Sequence, residues 1–194
     1  MKSEILHLLR HADGYVSGQQ LCETFGVSRT AVWKVINQLK EEGYVIDSVQ
    51  NKGYRITEYP DIITASEIES LLLDDSGNMQ GICRHIQYFD KTDSTNNQAK
   101  LAAEKNAPEG TLFVAECQTG GRGRRGKTWE SPAGSGIWMS LLLRPDISPE
   151  SASMLTLVLA VAMVDAINEE VQDAKCYVKW PNDCLLYTSP SPRD

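Results

Sequence analysis

The sequence predicts an α+β chain in two parts, a winged helix-turn-helix followed by a domain built on a mixed or antiparallel sheet. Three observations predict it. Over residues 1–58, three helix-period stretches precede two strand-like runs around a turn. From residue 85 onward, strand-like and helical runs mix. Between two of those strands lies "QTGGRGRRGKTW", residues 118–129, in which positions 120–127 hold four glycines and four cations.

The first helix is carried by Ile5, Leu6, Leu8 and Leu9 and stops near Asp13 and Gly14. Ser17 and Gln20 have capping-box spacing, a serine that caps the N–H three residues on and a glutamine that reaches back. They open a second helix, and Gly26 allows a tight turn. Ser28 caps a third, whose apolar face is Ala31, Val32, Val35, Ile36 and Leu39. Gly43 ends it. Residues 44–50 and 54–57 flank Asn51, Lys52 and Gly53 as a hairpin.

In such a unit the third helix enters the major groove and the hairpin touches backbone or minor groove. Ser28, Arg29, Thr30, Trp33, Lys34 and Asn37 lie on or near its exposed N-terminal half, and Lys52 sits at the wing tip. Residues 1–58 carry seven Lys/Arg and seven Asp/Glu, so placement of the cations, not net charge, favours DNA over a protein-docking domain of the same shape.

Residues 59–66 read as a linker: Tyr59, Pro60 and Asp61 break the strand, and Thr64 and Glu67 form another capping box. Residues 74–81 are loop-like. Strands are expected at 85–90, 111–116, 136–144 and 176–181. Helices are expected after the loop 91–97 and from Ser148 to about Val171, with Pro149 tolerated in the first turn.

Composition sets the bounds. The 194 residues carry a formal net charge of −7 and are 41% hydrophobic, ordinary for a globular protein and wrong for one that coats nucleic acid generally. The cysteines at 22, 83, 117, 176 and 184 form no C-x-x-C pair, which suits a reducing cytoplasm and gives no zinc motif. The start lacks a secretory core. The longest apolar stretch, 154–164, reads as a buried helix, too short for a bilayer.

Gly121, Gly123 and Gly126 fit G-x-G-x-x-G, but the dinucleotide reading needs a helix to follow, and residues 127–134 lead into a strand instead. Glycines that let backbone N–H groups approach, with forked arginine donors, can surround an anion. Such a loop should be mobile when empty and ordered by an acidic ligand. Taken alone, it could equally touch RNA or only solvent. Its neighbours favour a small acidic ligand: Asp93, Ser94, Thr95 and Asn96 at a loop-to-helix boundary, Gln118 entering, Trp129 leaving, and Lys179 to Asp183 ending a strand.

Together these residues resemble the biotin protein ligases, whose class II synthetase-like catalytic domain bears three marks. They occur here in order, as "DSTN" at 93, "QTGGRGRRGKTW" at 118 and "KWPND" at 179. The winged helix resembles that of the bifunctional members, both ligase and biotin operon repressor. The resemblance implies that biotin's carboxylate attacks the α-phosphate of ATP, with Mg2+, to give biotinyl-5′-AMP, and that a lysine of a biotin carboxyl carrier protein then takes the biotinyl group. It implies that Ser94, Thr95, Asn96, Gln118 and Gly121 border biotin and that Arg122, Gly123 and Arg124 close over it. It puts Arg125 and Lys127 on phosphate, with Arg122 and Arg124 also in catalysis, Trp129 near adenine, and Asn182 and Asp183 on the nucleotide and magnesium side. It implies a cytoplasmic protein that dimerises with adenylate bound and then binds operator DNA. A sensing repressor without catalysis and a lipoate-type ligase are the alternatives.

The resemblance runs to about Leu185. The family's next lysine-bearing segment and C-terminal β domain have no counterpart, and Pro190 and Pro192 do not suit a strand. The expected organisation is 1–58 winged helix, 59–66 linker, 67–184 partial catalytic domain and 185–194 a foreign or out-of-frame tail. A fragment of little or no activity is expected.

Overall fold

The computed structural model describes residues 1–123, 127–171, 175–180 and 183–187, the last without the side chains of Asp183 and Tyr187. The chain divides into two compact units, 1–143 and 144–194.

The first unit opens with α1 (Lys2–His11), α2 (Gly18–Phe25) and α3 (Arg29–Glu41), followed by the antiparallel hairpin β1 (Val45–Val49) and β2 (Gly53–Glu58). The serine caps form, but no bond from the Gln20 side chain back to Ser17 completes the expected capping box. Ser17 Oγ accepts the Gln20 N–H at 3.0 Å and Ser28 Oγ the Ala31 N–H at 3.2 Å. Gly26 takes the left-handed conformation that ends α2. Ile5, Leu6, Leu9, Leu21, Val32, Val35, Ile36 and Leu39 close one core with Ile46 and Ile56 of the hairpin. Each such side chain contributes roughly 1.5–3 kcal/mol when fully buried. The wing is tied down at its root, where Val16 and Tyr54 exchange backbone hydrogen bonds of 2.9 Å each way.

α4 (Ala65–Leu72) packs on α1. Thr64 Oγ1 caps the Glu67 N–H at 3.1 Å, but the Glu67 carboxylate does not complete the capping box. It accepts from Arg10 Nη2 at 2.5 Å and from the Tyr44 hydroxyl. A tertiary ion pair beats a local N–H because it also satisfies a half-buried guanidinium. Burial first, and then the Glu67 hydrogen bond, raise the Tyr44 hydroxyl well above the usual tyrosine range. Arg10 also lies over the Tyr59 ring, 4.7 Å from its centroid.

Next come β3 (His85–Phe89), α5 (Thr95–Glu104), β4 (Thr111–Ala115) and β5 (Trp138–Leu142). The sheet order is β3-β4-β5, parallel on one side of β4 and antiparallel on the other, the mixed sheet expected from the sequence. β4 is buried at every position, and α5 packs against β4 and β5.

The second unit holds a 3-10 turn (Pro149–Ser153), α6 (Met154–Glu170) and an antiparallel pair, β6 (Lys175–Lys179) and β7 (Asp183–Tyr187). The Asn168 side chain caps β6, accepting the Cys176 N–H at 2.8 Å and donating to its carbonyl at 3.1 Å. β7 runs to Tyr187, three residues into the segment expected as a tail. The buried helix expected at 154–164 is a correction: Ala160 alone is buried among the described residues of α6, and Val158 is 63% exposed. Among the described residues of this unit, β6, β7 and the adjoining 3-10 turn pack on α6 and leave most of its apolar side chains exposed. The run Pro149–Glu170 is also long and apolar enough to cross a membrane by length and composition alone, with mean hydropathy 1.7 over an 18-residue stretch of it.

Candidate functional site

The site is built where the sheet ends. Beyond the regular strands the ladder continues one bridge further, with Gln118 paired to Thr92 on one side and Ser131 on the other. This sets the first turn of α5 beside the glycine–cation segment. Ser94 occupies the N-cap position but makes no side-chain cap bond. Gln118 does that work instead: its Oε1 accepts the Thr95 N–H at 2.8 Å and the Thr95 hydroxyl at 3.1 Å. With its proton on Gln118, Thr95 Oγ1 is left to accept from Ser140 Oγ at 2.9 Å. Gln118 Nε2 donates to Ser131 Oγ at 3.1 Å. Ser94, Thr95 and Ser131 are all buried, so this polar network is shielded from water.

The glycine–cation segment is a short hairpin. Gly121 and Trp129 pair through a 2.9 Å backbone bond, Arg122 bridges Thr128, and the Gly123 N–H reaches the Lys127 carbonyl at 2.7 Å. Gly121 has no alternative residue: a Cβ there would lie 2.4 Å from the Trp129 carbonyl oxygen and 2.9 Å from Ser131 Oγ. Arg124 and Arg125, both expected in the site, lie outside the described residues, and so does the expected mobility of the loop tip.

Between the hairpin and α5 is a cavity of about 700 Å3, lined by Asp93, Asn97, Gly120, Gly121, Arg122, Gly123, Lys127 and Thr128. That volume is in the range of small-molecule sites. The structure brings Gly121, Arg122, Gly123 and Lys127 together on one cavity wall. Ser94, Thr95 and Gln118 lie in the layer that orients the cavity and do not line it. Asn96 is exposed outside the lining, and Trp129 is 56% exposed at the hairpin exit. Asn182 lies outside the described residues and the Asp183 side chain is likewise not described, while the Asp183 backbone belongs to β7.

Sequence reasoning named Asp93 in the "DSTN" segment without giving it a ligand role, and missed Asn97; both line the cavity. Asn97 Nδ2 donates to Asp93 Oδ2 at 2.6 Å, and Gln98 and Thr92 donate to Oδ1 at 3.1 and 3.2 Å. These donors, Asn97 first and the Ser94 N–H next, pull the Asp93 carboxyl down to about 2. It is a fixed anion at neutral pH and no proton donor. Its spacing of four residues to Asn97 on a helix start was the available signal. Among the described residues the side chains of Arg122 and Lys127 make no hydrogen bond or ion pair, and no group of three or more His, Cys, Asp or Glu could hold a metal ion. The arrangement can therefore hold and orient an acidic ligand, without acid–base machinery among the described residues.

On the face of α3 and the hairpin, Ser28, Arg29, Thr30, Trp33, Lys34 and Lys52 are exposed and Asn37 is half-buried. A groove of about 450 Å3 runs from Ser17, Gly18 and Gln19 past Arg29 to Lys52 and Gly53. Arg29 is steadied by Gln19 Oε1 at 2.9 Å. Arg55, missed in the sequence, joins Lys52 over the Tyr15 ring, with centroid distances of 5.3 and 5.9 Å.

Residues 88–189, just over half of the chain, match the biotin/lipoate A/B protein ligase family, and residues 2–55 match a helix-turn-helix domain family. The "Bifunctional ligase/repressor BirA" of Bacillus subtilis (strain 168) is 42% identical over 187 residues, 96% of this chain and 56% of that protein. Its namesake in Escherichia coli (strain K12) is 34% identical over 183 residues, 94% and 53% respectively. The "Biotin--[acetyl-CoA-carboxylase] ligase" of Paracoccus denitrificans is 42% identical over 97 residues, 50% of this chain and 40% of that protein. The solved "Biotin protein ligase from Aquifex aeolicus in complex with biotin and ATP" is 36% identical, with a TM-score of 0.43 over 53% of this chain and 41% of that one. The chain spans about half the length of the curated relatives it matches.

Proposed function

The chain belongs to the biotin/lipoate A/B protein ligase family, and on that premise we propose that it forms the biotin-activating and DNA-binding part of a ligase and repressor. The carboxylate oxygen of biotin attacks the α-phosphorus of ATP, and the bond to pyrophosphate breaks. A carrier-domain lysine amine then attacks the biotinyl carbonyl and AMP leaves with the anhydride oxygen.

The cavity under the glycine–cation hairpin carries this reading. Carboxylate and triphosphate repel each other, and the barrier falls when fixed cations meet both. Arg122 and Lys127 stand on its wall, and glycines at 121 and 123 let backbone approach the ligand. Arg124 joins Arg122 over biotin, and Arg125 joins Lys127 on phosphate. Gln118 and Thr95 lock the first turn of α5, which supports assigning Ser94 and Asn96, at that turn, to the biotin end. Trp129, exposed at the hairpin exit, offers a face for adenine. Magnesium, bound with the triphosphate near Asn182 and Asp183, would neutralise the pyrophosphate leaving group. The two named relatives that share both halves of this chain support the repressor role. Adenylate-dependent homodimerisation, operator DNA and a carboxyl carrier protein as partners belong to the same proposal.

Loss of Arg122 tests it. A charged hydrogen bond contributes about 1.5–3 kcal/mol, so Arg122→Ala should speed dissociation of biotinyl-5′-AMP about tenfold to a hundredfold. An unchanged dissociation rate in stopped-flow measurements would contradict the assignment.

A further inference from the structure

We infer that His7 and His11 form a two-imidazole site for a borderline divalent transition-metal ion of the zinc, nickel or copper(II) class. The proposal is independent of the ligase reading. The two histidines are one helical turn apart on α1, the spacing at which two imidazoles share one face and can chelate one ion. Their ring centroids are 4.3 Å apart at a tilt of 45°. Two nitrogens bound tetrahedrally at about 2.1 Å would sit roughly 3.4 Å from each other, within reach of rings so placed.

The hydrogen bonds fix the tautomers. His7 Nδ1 lies 2.8 Å from the Ser70 carbonyl, and His11 Nδ1 lies 2.9 Å from the His7 carbonyl. A carbonyl only accepts, so each Nδ1 carries the proton. In the neutral form each ring then keeps its Nε2 lone pair free. This is the arrangement that orients metal-binding histidines, with the far nitrogen held by a backbone oxygen.

Both rings line a cavity of about 540 Å3 that also takes in Glu4, Asp74 and Asp75. The Asp74 carboxylate accepts from the Ser76 and Asn78 N–H groups and from Gln80, which hold it below the usual range and therefore charged. Asp75 has no hydrogen-bond or ion-pair partner among the described residues. The cavity thus presents two nitrogen ligands beside negative charge. With no third ligand close enough among the described residues, water completes the coordination and the ion exchanges readily. Imidazole favours copper(II), nickel and zinc, and does not suit magnesium or calcium.

Calorimetric titration of the chain with zinc chloride at pH 7.5 tests this, with His11→Gln as the main variant because His11 is exposed and its loss leaves the core intact. The five cysteines are present in every version, so thiolate binding cancels in the comparison. We expect one zinc equivalent whose affinity falls at least tenfold in His11→Gln and in His7→Gln. Copper(II) should bind tighter than zinc, and a millimolar excess of magnesium should not compete. Zinc affinity in His11→Gln within twofold of the original chain would overturn the proposal.

Discussion

Gly53 shows how one residue can fix an element. Its φ is +113°, and a Cβ would lie 2.0 Å from the Val16 carbonyl oxygen, which accepts the Tyr54 N–H that roots the wing. Gly53→Ala should destabilise the chain by about 1–3 kcal/mol, read as a lower denaturant midpoint with a displaced wing. Asp93 makes a second test. Its folded carboxyl is pulled down to about 2, from an ordinary value near 4. A depressed carboxyl contributes stability that is present above about pH 4 and is lost as pH falls towards 2. Thermal melts between pH 2 and 5 should therefore show a shallower acid loss for Asp93→Asn than for the original chain. The caps at Ser17 and Ser28 were legible because a serine and an N–H three residues on are local partners. Ser131 and Ser140 were not, because they reach Gln118 and Thr95 only after the sheet has formed.

Among the elements, α4 is set by tertiary contact. The sequence marks its start through Thr64, but nothing local says that Glu67 will turn to Arg10 and Tyr44. That choice fastens residues 65–72 to the winged helix, so the sequence boundary at 58–67 divides residues that pack together. Glu67→Ala would leave a half-buried guanidinium unpaired and should cost about 1–3 kcal/mol, measured by chemical denaturation. Tyr44 adds a pH signature. Its raised hydroxyl favours the folded state fully below about pH 10 and less as pH rises beyond that. Strands β3 to β5 were readable because each is a short apolar run between breakers. α6 was misjudged on burial because apolar composition gives a helix its length and cannot say what covers it.

At the scale of the molecule, a chain of net charge −7 gathers nine of its 19 Lys/Arg in two places, five on the third helix and its hairpin and four in the glycine–cation stretch. Both were visible as local spacing. The cavity was not, since Asp93 and Asn97 meet the hairpin only through the bridges at Thr92, Gln118 and Ser131. If the first site grips DNA through phosphates, Lys34→Ala and Lys52→Ala should each weaken binding for all sequences alike. Each should also lower the slope of log affinity against log salt by about 1. The central claim concerns the second site, that cations on glycine-rich backbone hold biotin and its adenylate over the first turn of α5. Isothermal calorimetry with biotinyl-5′-AMP measures it most directly. One equivalent of binding, weakened at least tenfold by Arg122→Ala, is the result predicted. No heat of binding, or equal affinity in the variant, would contradict it.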